Sequence, residues 1–218
     1  MALTKFNYNS FDVTPVASAG LAFNSGANGL TSLKGTSQVL IKTLTASSSA
    51  NLSFVNGTSD VVLDSTYPIY LFKFINCHPA TDQAEFTVNF RDGGSNYDAT
   101  KTSTVFTSYL DEANNDDFGY NAGSDVAQGT GVQNIGADLS NANDGSASGE
   151  LWLFNPSSTT YVKHYIARSQ FMHTQPASFA LHIAGYCNVT AAIDGVQFAM
   201  SSGNIDSGTI KLYGIKDS

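Results

Sequence analysis

The chain has 218 residues, of which 42% are hydrophobic and only 13% are charged, and its formal net charge is −8. This length is enough for one sizeable β domain. The ten Lys and Arg residues are scattered, whereas nucleic-acid binding needs clustered basic side chains that release counterions from phosphates, so we expect no nucleic-acid partner.

The composition favours strands over helices. Fourteen Phe and ten Tyr supply large side chains that suit strands, and the richness in Glu, Lys, Leu and Ala that is typical of helical bundles is missing. The N-terminus shows no basic stretch followed by an apolar one, and no run of about 18 apolar residues occurs. We therefore expect a soluble all-β chain without membrane insertion, which does not follow the general secretory route.

Residues 1–33 differ from the rest of the chain. They hold isolated aromatic residues between Asn, Ser, Ala and Gly and show little periodicity, so we interpret them as an extended N-terminal arm. Residues 34–218 are predicted to form a single β-sandwich domain. Phe6, Tyr8 and Phe11 of the arm would contact either the sheet of their own domain or a neighbouring subunit, and the sequence leaves both alternatives open.

Alternation of apolar and polar residues predicts the first strands of the domain. Residues 38–44 and 51–55 flank a turn-rich stretch and predict a hairpin. Residues 69–75 are apolar at all but one position, which predicts an interior strand covered on both faces. Residues 85–91 alternate cleanly and predict a half-buried strand before the turn at 92–96.

The middle of the chain is less regular. Residues 102–110 predict another strand, but the long stretch 111–149 has low hydrophobicity and no strong pattern, which is typical of a functional or mobile loop. Further strands are predicted at 150–155, 161–167 and 179–186. No internal repeat and no amphipathic helix is visible.

The chain closes with two alternating runs within residues 193–215. Val196 and Phe198 share one parity of the first run, and Ile210 and Leu212 share one parity of the second. The connector is rich in Gly, Asn and Asp, so the two runs predict a hairpin-like pair whose last strand pairs with earlier strands. About ten strands in total predict a two-sheet sandwich of jelly-roll type.

The cysteines and histidines suggest no metal site. Cys77 and Cys187 lie on apolar, strand-like segments and fit neither a disulfide framework nor a zinc site, so we predict two unpaired, buried thiols. The histidines lack the local spacings that place two ligands together, and we interpret them as partly buried structural residues. They are His78, His164, His173 and His182.

No motif predicts catalysis or cofactor binding. An acidic patch is formed by Asp111, Glu112, Asp116 and Asp117. The ordered calcium-binding loop is absent, so a solvated loop is favoured, although the sequence leaves open whether residues 111–149 bind Ca²⁺ or a glycan. The chain contains no G-x-S-x-G elbow, no dinucleotide fingerprint and no recognisable pair of catalytic carboxylates. We expect no catalytic residue, no metal and no cofactor.

Trp152 raises the possibility of sugar binding, since aromatic rings stack on sugars at sheet faces and loops. It lies in the predicted strand 150–155, which is dominated by apolar residues. Large aromatic side chains are highly buried on average, so we interpret Trp152 as a core residue.

From Phe72 to the end, the chain carries a series of motifs in a fixed order. They are FKFINCHPATD (72–82), Asp92-Gly93-Gly94, GELWLFNPSSTT (149–160), Lys163-His164, Gly185-Tyr186, AIDG (192–195), FAMSSGN (198–204) and SGTIKLYGI (207–215). Together they resemble a widespread family of bacteriophage virion proteins, most specifically in the closing SSGN, SGTI and LYGI. The resemblance supplies no catalytic residue.

The resemblance implies a non-enzymatic structural protein displayed on the virion surface, either a capsid decoration (cement) protein or a tail-associated protein. The implied partners are further copies of the chain, with a homotrimer as the expected assembly, and the major capsid or tail proteins. Such a protein is assembled in the host cytoplasm and resides in the virion. The alternative is a carbohydrate-binding or host-receptor-binding domain of a tail fibre, motivated by Trp152 and residues 111–149. A glycan hydrolase ranks lowest.

Overall fold

The structure, a computed structural model, describes residues 21–23, 30–32 and 37–216. Within these ranges it contains fourteen strands and no helix, so no helix there can span a membrane. The strands are β1 (Leu21–Phe23), β2 (Leu30–Ser32), β3 (Gln38–Ser49), β4 (Leu52–Val55), β5 (Ile69–Pro79), β6 (Ala84–Arg91), β7 (Lys101–Asp111), β8 (Asp116–Tyr120), β9 (Gln133–Leu139), β10 (Ala147–Phe154), β11 (Lys163–Met172), β12 (Ala177–Cys187), β13 (Gly195–Met200) and β14 (Ile205–Ile215). The all-β class is confirmed, with more strands than the expected ten.

Twelve of these strands form two antiparallel sheets. The large sheet has the order β3-β14-β5-β10-β11-β12-β7-β8, and the small sheet has the order β4-β13-β6-β9. Strands β1 and β2 pair only with each other among the described residues. The predicted two-sheet sandwich is therefore confirmed.

Eight strands of the sandwich are connected in the order of a jelly roll. Strands β3-β14-β5-β10 of the large sheet lie opposite β4-β13-β6-β9, and the first strand of the set lies beside the last one. In chain order, strands β7 and β8 come between β6 and β9, and strands β11 and β12 come between β10 and β13. These four additional strands, which we call the sheet extension, widen the large sheet beyond the small one.

The core of the sandwich is built from phenylalanine rings of both sheets. Phe54 of β4 lies 5.3 Å from Phe72 of β5, and Phe86 of β6 lies 5.3 Å from Phe74 of β5. Phe198 of β13 lies between them, 5.6 Å from Phe72 and 6.0 Å from Phe86. All five rings are buried, so they contribute both apolar burial and ring-to-ring contacts.

The predicted parity of the closing strands is confirmed, but two predicted hairpins are wrong. Phe198, Ile210 and Leu212 are buried, and β14 is an interior strand between β3 and β5. However, β13 and β14 lie in different sheets, and so do β3 and β4. A connector rich in small polar residues fits a crossing between sheets as well as a turn within one sheet, so its composition does not decide the pairing.

The predicted long loop at residues 111–149 is also wrong, because it contains β8, β9 and the start of β10. Strand β9 completes the small sheet and buries Ile135 and Leu139. The sequence shows no clear alternation of apolar and polar residues over β9, because its buried residues Gln133 and Asn134 are polar.

The predicted faces of two strands need correction. Strand β5 is interior to its sheet, but its outer face is only partly covered, since Leu71 is buried there whereas Ile75 is 40% exposed. Strand β6 is buried on both faces rather than on one. Thr87 and Asn89 are buried there, and their side chains donate hydrogen bonds to the carbonyls of Ala199 (2.9 Å) and Thr130 (3.2 Å).

Replacing Phe198 by Ala is expected to lower the free energy of unfolding by about 3–5 kcal/mol, because it removes a ring that bridges both sheets. Urea denaturation followed by circular dichroism measures this change. Tyr161→Ala is the control, since Tyr161 is 69% exposed, and it should change stability by less than about 0.5 kcal/mol. Similar effects of the two substitutions would contradict the central position of Phe198.

Candidate functional site

The four histidines do not converge. His78 and His173 are half-buried, as predicted, whereas His164 and His182 are exposed on the outer face of β11 and β12, where the prediction is wrong. No strand of the described chain packs over that face, so alternation there does not imply burial. Among the described residues, no three His, Cys, Asp or Glu side chains are placed to share a metal ion.

The predicted unpaired, buried thiols are confirmed for both cysteines. Cys187 lies on the inner face of the large sheet between Lys101 of β7 and Lys163 of β11, its neighbours in the strand register, and all three residues are fully buried. Burial raises the pKa of both Cys77 and Cys187 to about 12. Both thiols are therefore protonated near neutral pH and are poor nucleophiles.

The two buried lysines hold loops against the sheet. Lys101 Nζ donates a hydrogen bond to the carbonyl of Gly131 (2.6 Å), and Lys163 Nζ donates to the carbonyls of three consecutive residues, 189–191. Neither lysine forms an ion pair within the described part of the chain. Burial lowers the pKa of both, to about 8 for Lys101. We interpret both as structural residues that satisfy inward-facing carbonyl groups.

The acidic patch lies at the turn between β7 and β8. The carboxylate of Asp111 accepts hydrogen bonds from the backbone of Ala113 (2.9 Å) and from the backbone and side chain of Asn115 (2.7 and 2.8 Å). The bonds from Asn115 lower the pKa of Asp111. Asp111 thus stabilises the turn, while the other three carboxylates of the patch are exposed, as predicted.

The interpretation of Trp152 as a core residue is wrong. Leu151 and Leu153 of β10 are fully buried against the core, so Trp152, with the opposite parity, lies half-buried on the outer face of the large sheet. There it neighbours Glu150, which accepts hydrogen bonds from the Arg168 guanidinium and from Trp152. The hydrogen bond from Arg168 has the largest effect in lowering the pKa of Glu150, and the bond from Trp152 lowers it further.

The outer face of the large sheet is apolar over much of its width. Nine large hydrophobic residues of the described chain are exposed, and seven of them lie on this face. The seven are Leu40, Ile75, Phe106, Leu110, Phe118, Tyr120 and Ile166. Near the β8 edge, the ring of Phe106 stacks on Phe118 with a centroid distance of 5.9 Å and meets Tyr120 edge-on at 5.7 Å.

Rows of side chains run across this outer face in register. One row is apolar and consists of Leu40, Tyr213, Leu71, Trp152 and Ile166. The next row is charged and contains Lys211, Lys73, Glu150, Arg168 and His182. Beside the apolar row lies a shallow groove of about 470 Å³, lined by Phe154, His164 and Tyr186 among others. The face thus combines apolar area with charges of both signs.

A different concave region lies on the inner face of the sheet extension. Here Phe179 of β12 stacks between two rings, Tyr109 of β7 at 4.9 Å and His173 at 4.4 Å, with interplanar angles of 11° and 19°. These rings line a cleft of about 480 Å³, together with Glu112 and Gln175. We call it the aromatic cleft.

The aromatic cleft adjoins a smaller depression of about 270 Å³ on the β8 side. Tyr109 and Phe179 line both spaces, and the depression is completed by Thr107, Asp117 and Asn121, with Gly119 on β8. The Asn121 side-chain amide donates a hydrogen bond to Thr107 Oγ1 (2.9 Å). Ring faces and polar groups therefore lie side by side, which is the arrangement of a ligand site.

Sequence reasoning did not find the aromatic cleft. The sequence points to the acidic patch with Asp111, Glu112 and Asp117 and, separately, to His173, but nothing in it joins them in one site with Tyr109 and Phe179. Tyr109 and Phe179 have the parity of core residues, and only the width of the large sheet reveals that this part of its inner face is uncovered.

Comparison with known proteins identifies no relative. No protein-family model matches the chain, and no curated protein or solved structure matches it significantly. The resemblance to phage virion proteins therefore remains a hypothesis that depends on the motifs.

The buried lysine Lys101 predicts a pH dependence of stability. Its pKa is about 8 in the folded protein against an ordinary value of 10.5, so the unfolded chain binds more protons between these values and stability rises with pH there. From pH 8 to 10 the free energy of unfolding should rise by about 2 kcal/mol more in the wild type than in Lys101→Met.

Urea denaturation at several pH values measures this difference. Lys216→Met is the matched control, since Lys216 is exposed, and its pH profile should run parallel to that of the wild type. Parallel profiles for Lys101→Met and the wild type would contradict a lowered pKa at Lys101.

Proposed function

We propose that the protein is a non-enzymatic structural protein of a bacteriophage virion, displayed on the particle surface as a homo-oligomer. It serves as a capsid decoration protein or as a tail-associated protein. The motifs from Phe72 to the end of the chain suggest this role. The observation that supports it most is the exposed apolar outer face of the large sheet.

Such a face is characteristic of assembly surfaces. Large contiguous apolar areas are uncommon on soluble monomers and mark sites where another protein binds. Seven exposed large hydrophobic residues on one face of one sheet make this the main such area of the described chain. The occupants we propose are a second copy of the chain, as in a trimer, and a neighbouring capsid or tail protein.

The charged row beside the apolar one would determine how a partner is oriented on this face. Lys73 and Lys211 are neighbours in the register, and Glu150 and Arg168 form an ion pair at their side. Charges of both signs favour one alignment of two surfaces over others. The low overall charge content of 13% also limits repulsion between closely placed copies.

The predicted arm fits the same assembly role. Most of residues 1–33 lie outside the described residues, and the hydrophobic core cluster of the described chain runs only from Ala46 to Leu212. Its aromatic residues Phe6, Tyr8 and Phe11 lie outside the described residues, and the domain begins with β3, an edge strand of the large sheet.

A receptor-binding role is the second candidate. The aromatic cleft favours it, whereas Trp152, which motivated it in the sequence, lies on the opposite face of the large sheet. The two candidate roles are compatible, because receptor-binding proteins are themselves parts of the virion.

The double substitution Leu40→Glu and Ile166→Glu is expected to abolish oligomerisation and incorporation into particles, because it would bury two unpaired carboxylates at the interface. Both side chains are about half-exposed, so the fold should persist. Light scattering after size exclusion and mass spectrometry of purified particles measure the two effects.

Val132→Glu with Tyr161→Glu is the matched control, since Val132 and Tyr161 are 46% and 69% exposed but lie off the outer face. This control should assemble like the wild type. A wild-type protein that stays monomeric at high concentration and is missing from particles would refute the proposal.

Deleting residues 1–33 is expected to leave the circular dichroism spectrum and the melting temperature of the domain nearly unchanged, because residues 46–212 already supply a buried core from both sheets. Oligomerisation or incorporation should weaken, since the arm would lose the apolar burial of its Phe6, Tyr8 and Phe11. Loss of the fold on deletion would show instead that the arm belongs to the domain's own core.

A further inference from the structure

The aromatic cleft presents a ring face that its own neighbours leave uncovered. Phe179 covers one face of Tyr109 in a nearly parallel stack at 4.9 Å. Because β7 lies between β12 and β8, the other face of Tyr109 points towards β8. Opposite Tyr109 on β8 is Asp117, and the next residue on that face is Gly119. A half-buried ring with one open face is a stacking platform.

Gly119 leaves the space beside this platform empty. A Cβ atom added at Gly119 would meet no atom within 4 Å, and its backbone conformation does not require glycine. Any larger side chain there would occupy the depression of about 270 Å³ that Tyr109 lines. The absence of a side chain at this position therefore keeps the Tyr109 face accessible.

Polar groups surround the platform on both sides. On the β8 side, Asp117 Oδ2 has no hydrogen-bond partner among the described residues, and the Thr107–Asn121 pair lies next to it. On the other side, the exposed side chains of Glu112 and Gln175 line the larger cleft. Donors and acceptors around an aromatic face match a ligand that is apolar on its faces and rich in hydroxyl groups at its rim.

The stack of His173, Phe179 and Tyr109 is held at its His173 end. The amide of Gln175 donates to His173 Nδ1 (3.0 Å), and His173 Nε2 faces the carboxylate of Asp138 at 3.7 Å. The backbone amide of Glu112 donates to the carbonyl of Pro176 (3.2 Å), which ties the two loops of the cleft together. The platform is thus largely preorganised, which lowers the entropic cost of binding.

The charges around the cleft restrict which ligands can bind there. The charged residues that line the two spaces are the carboxylates Asp111, Glu112 and Asp117, with His173, and neither Lys nor Arg is among them. An anionic ligand would be repelled, whereas an amine would be attracted by the carboxylates and by the electron-rich face of Tyr109.

We propose that the aromatic cleft binds a saccharide without negative charge, with one sugar ring stacked on the free face of Tyr109 above Gly119. Neutral sugars and amino sugars fit this site, and uronic, sialic or phosphorylated sugars do not. The proposal does not depend on the virion role, although a cell-surface glycan would be the natural ligand in that setting.

Binding to the purified full-length protein is measured by saturation-transfer NMR and calorimetry. The probes are oligomers of equal length of glucose, N-acetylglucosamine, glucosamine and galacturonate, and an array of neutral, amino and acidic glycans extends the search. We expect binding of neutral and amino sugars, tightest for those with a free amine, and none of galacturonate.

Two substitutions test the site by different means. Tyr109→Ala removes the platform, and Gly119→Leu fills the space beside it, and each should weaken binding about ten-fold or more. Tyr161→Ala and Gly131→Leu are the matched controls, since Tyr161 is exposed in a loop and a Cβ at Gly131 would also meet nothing within 4 Å. Both controls should bind like the wild type, and thermal melts report whether each variant is folded.

Three results would overturn the proposal. They are the absence of binding to every neutral and amino glycan, a preference for acidic glycans, and binding that Gly119→Leu leaves unchanged in a folded protein. The presence of the protein in particles is measured separately, so a failure of this proposal and a failure of the virion role can be distinguished.

Discussion

The unequal width of the two sheets determines most features of this protein. Four strands of the small sheet cover the jelly-roll half of the large sheet, where the phenylalanine core forms, and they reach as far as β11, where Phe90 of β6 lies 4.9 Å from Tyr165. Beyond the small sheet, the inner face of the sheet extension is covered by irregular chain or remains open. Near Lys101 and Ser103 it is covered, since both side chains are buried and Lys101 Nζ donates a hydrogen bond to the carbonyl of Gly131. At Tyr109 it remains open and forms the aromatic cleft.

Covering a sheet with loops brings backbone carbonyls into a buried environment, where each needs a hydrogen-bond donor. Lys101 and Lys163 supply these donors from the sheet itself. A lysine is long enough to reach across the gap and has three donors, so one side chain satisfies several carbonyls. The cost is the desolvation of a charge, which appears as the lowered pKa of both lysines. This explains two fully buried lysines without a catalytic role.

Most strands and their parities could be predicted from the sequence, but β8, β9 and the arrangement of the sheets could not. The alternation at Phe198 and Leu212 reports a local property, the side of the strand on which a residue lies, and it is confirmed. Whether the opposite side is solvent, a second sheet or a loop depends on residues far away in the chain. For this reason the sequence predicts Trp152, His164 and His182 to be buried or partly buried, although they lie on the face that the small sheet does not cover. The aromatic cleft could not be predicted for the same reason, because it exists where the inner face of the large sheet is left uncovered.

The alternation of side chains separates the two proposed surfaces. On β7, Phe106 and Leu110 point to the outer face while Thr107 and Tyr109 point to the inner one, and the same division holds on β8. A protein that covers the outer face therefore contacts the sheet on the side opposite the aromatic cleft. Assembly through the outer face would leave the cleft accessible, and every copy in an oligomer would present one. If both proposals hold, several weak sugar sites on one particle would bind a glycan-coated surface much more tightly than a single site does, so a shallow cleft in each copy would be sufficient for attachment.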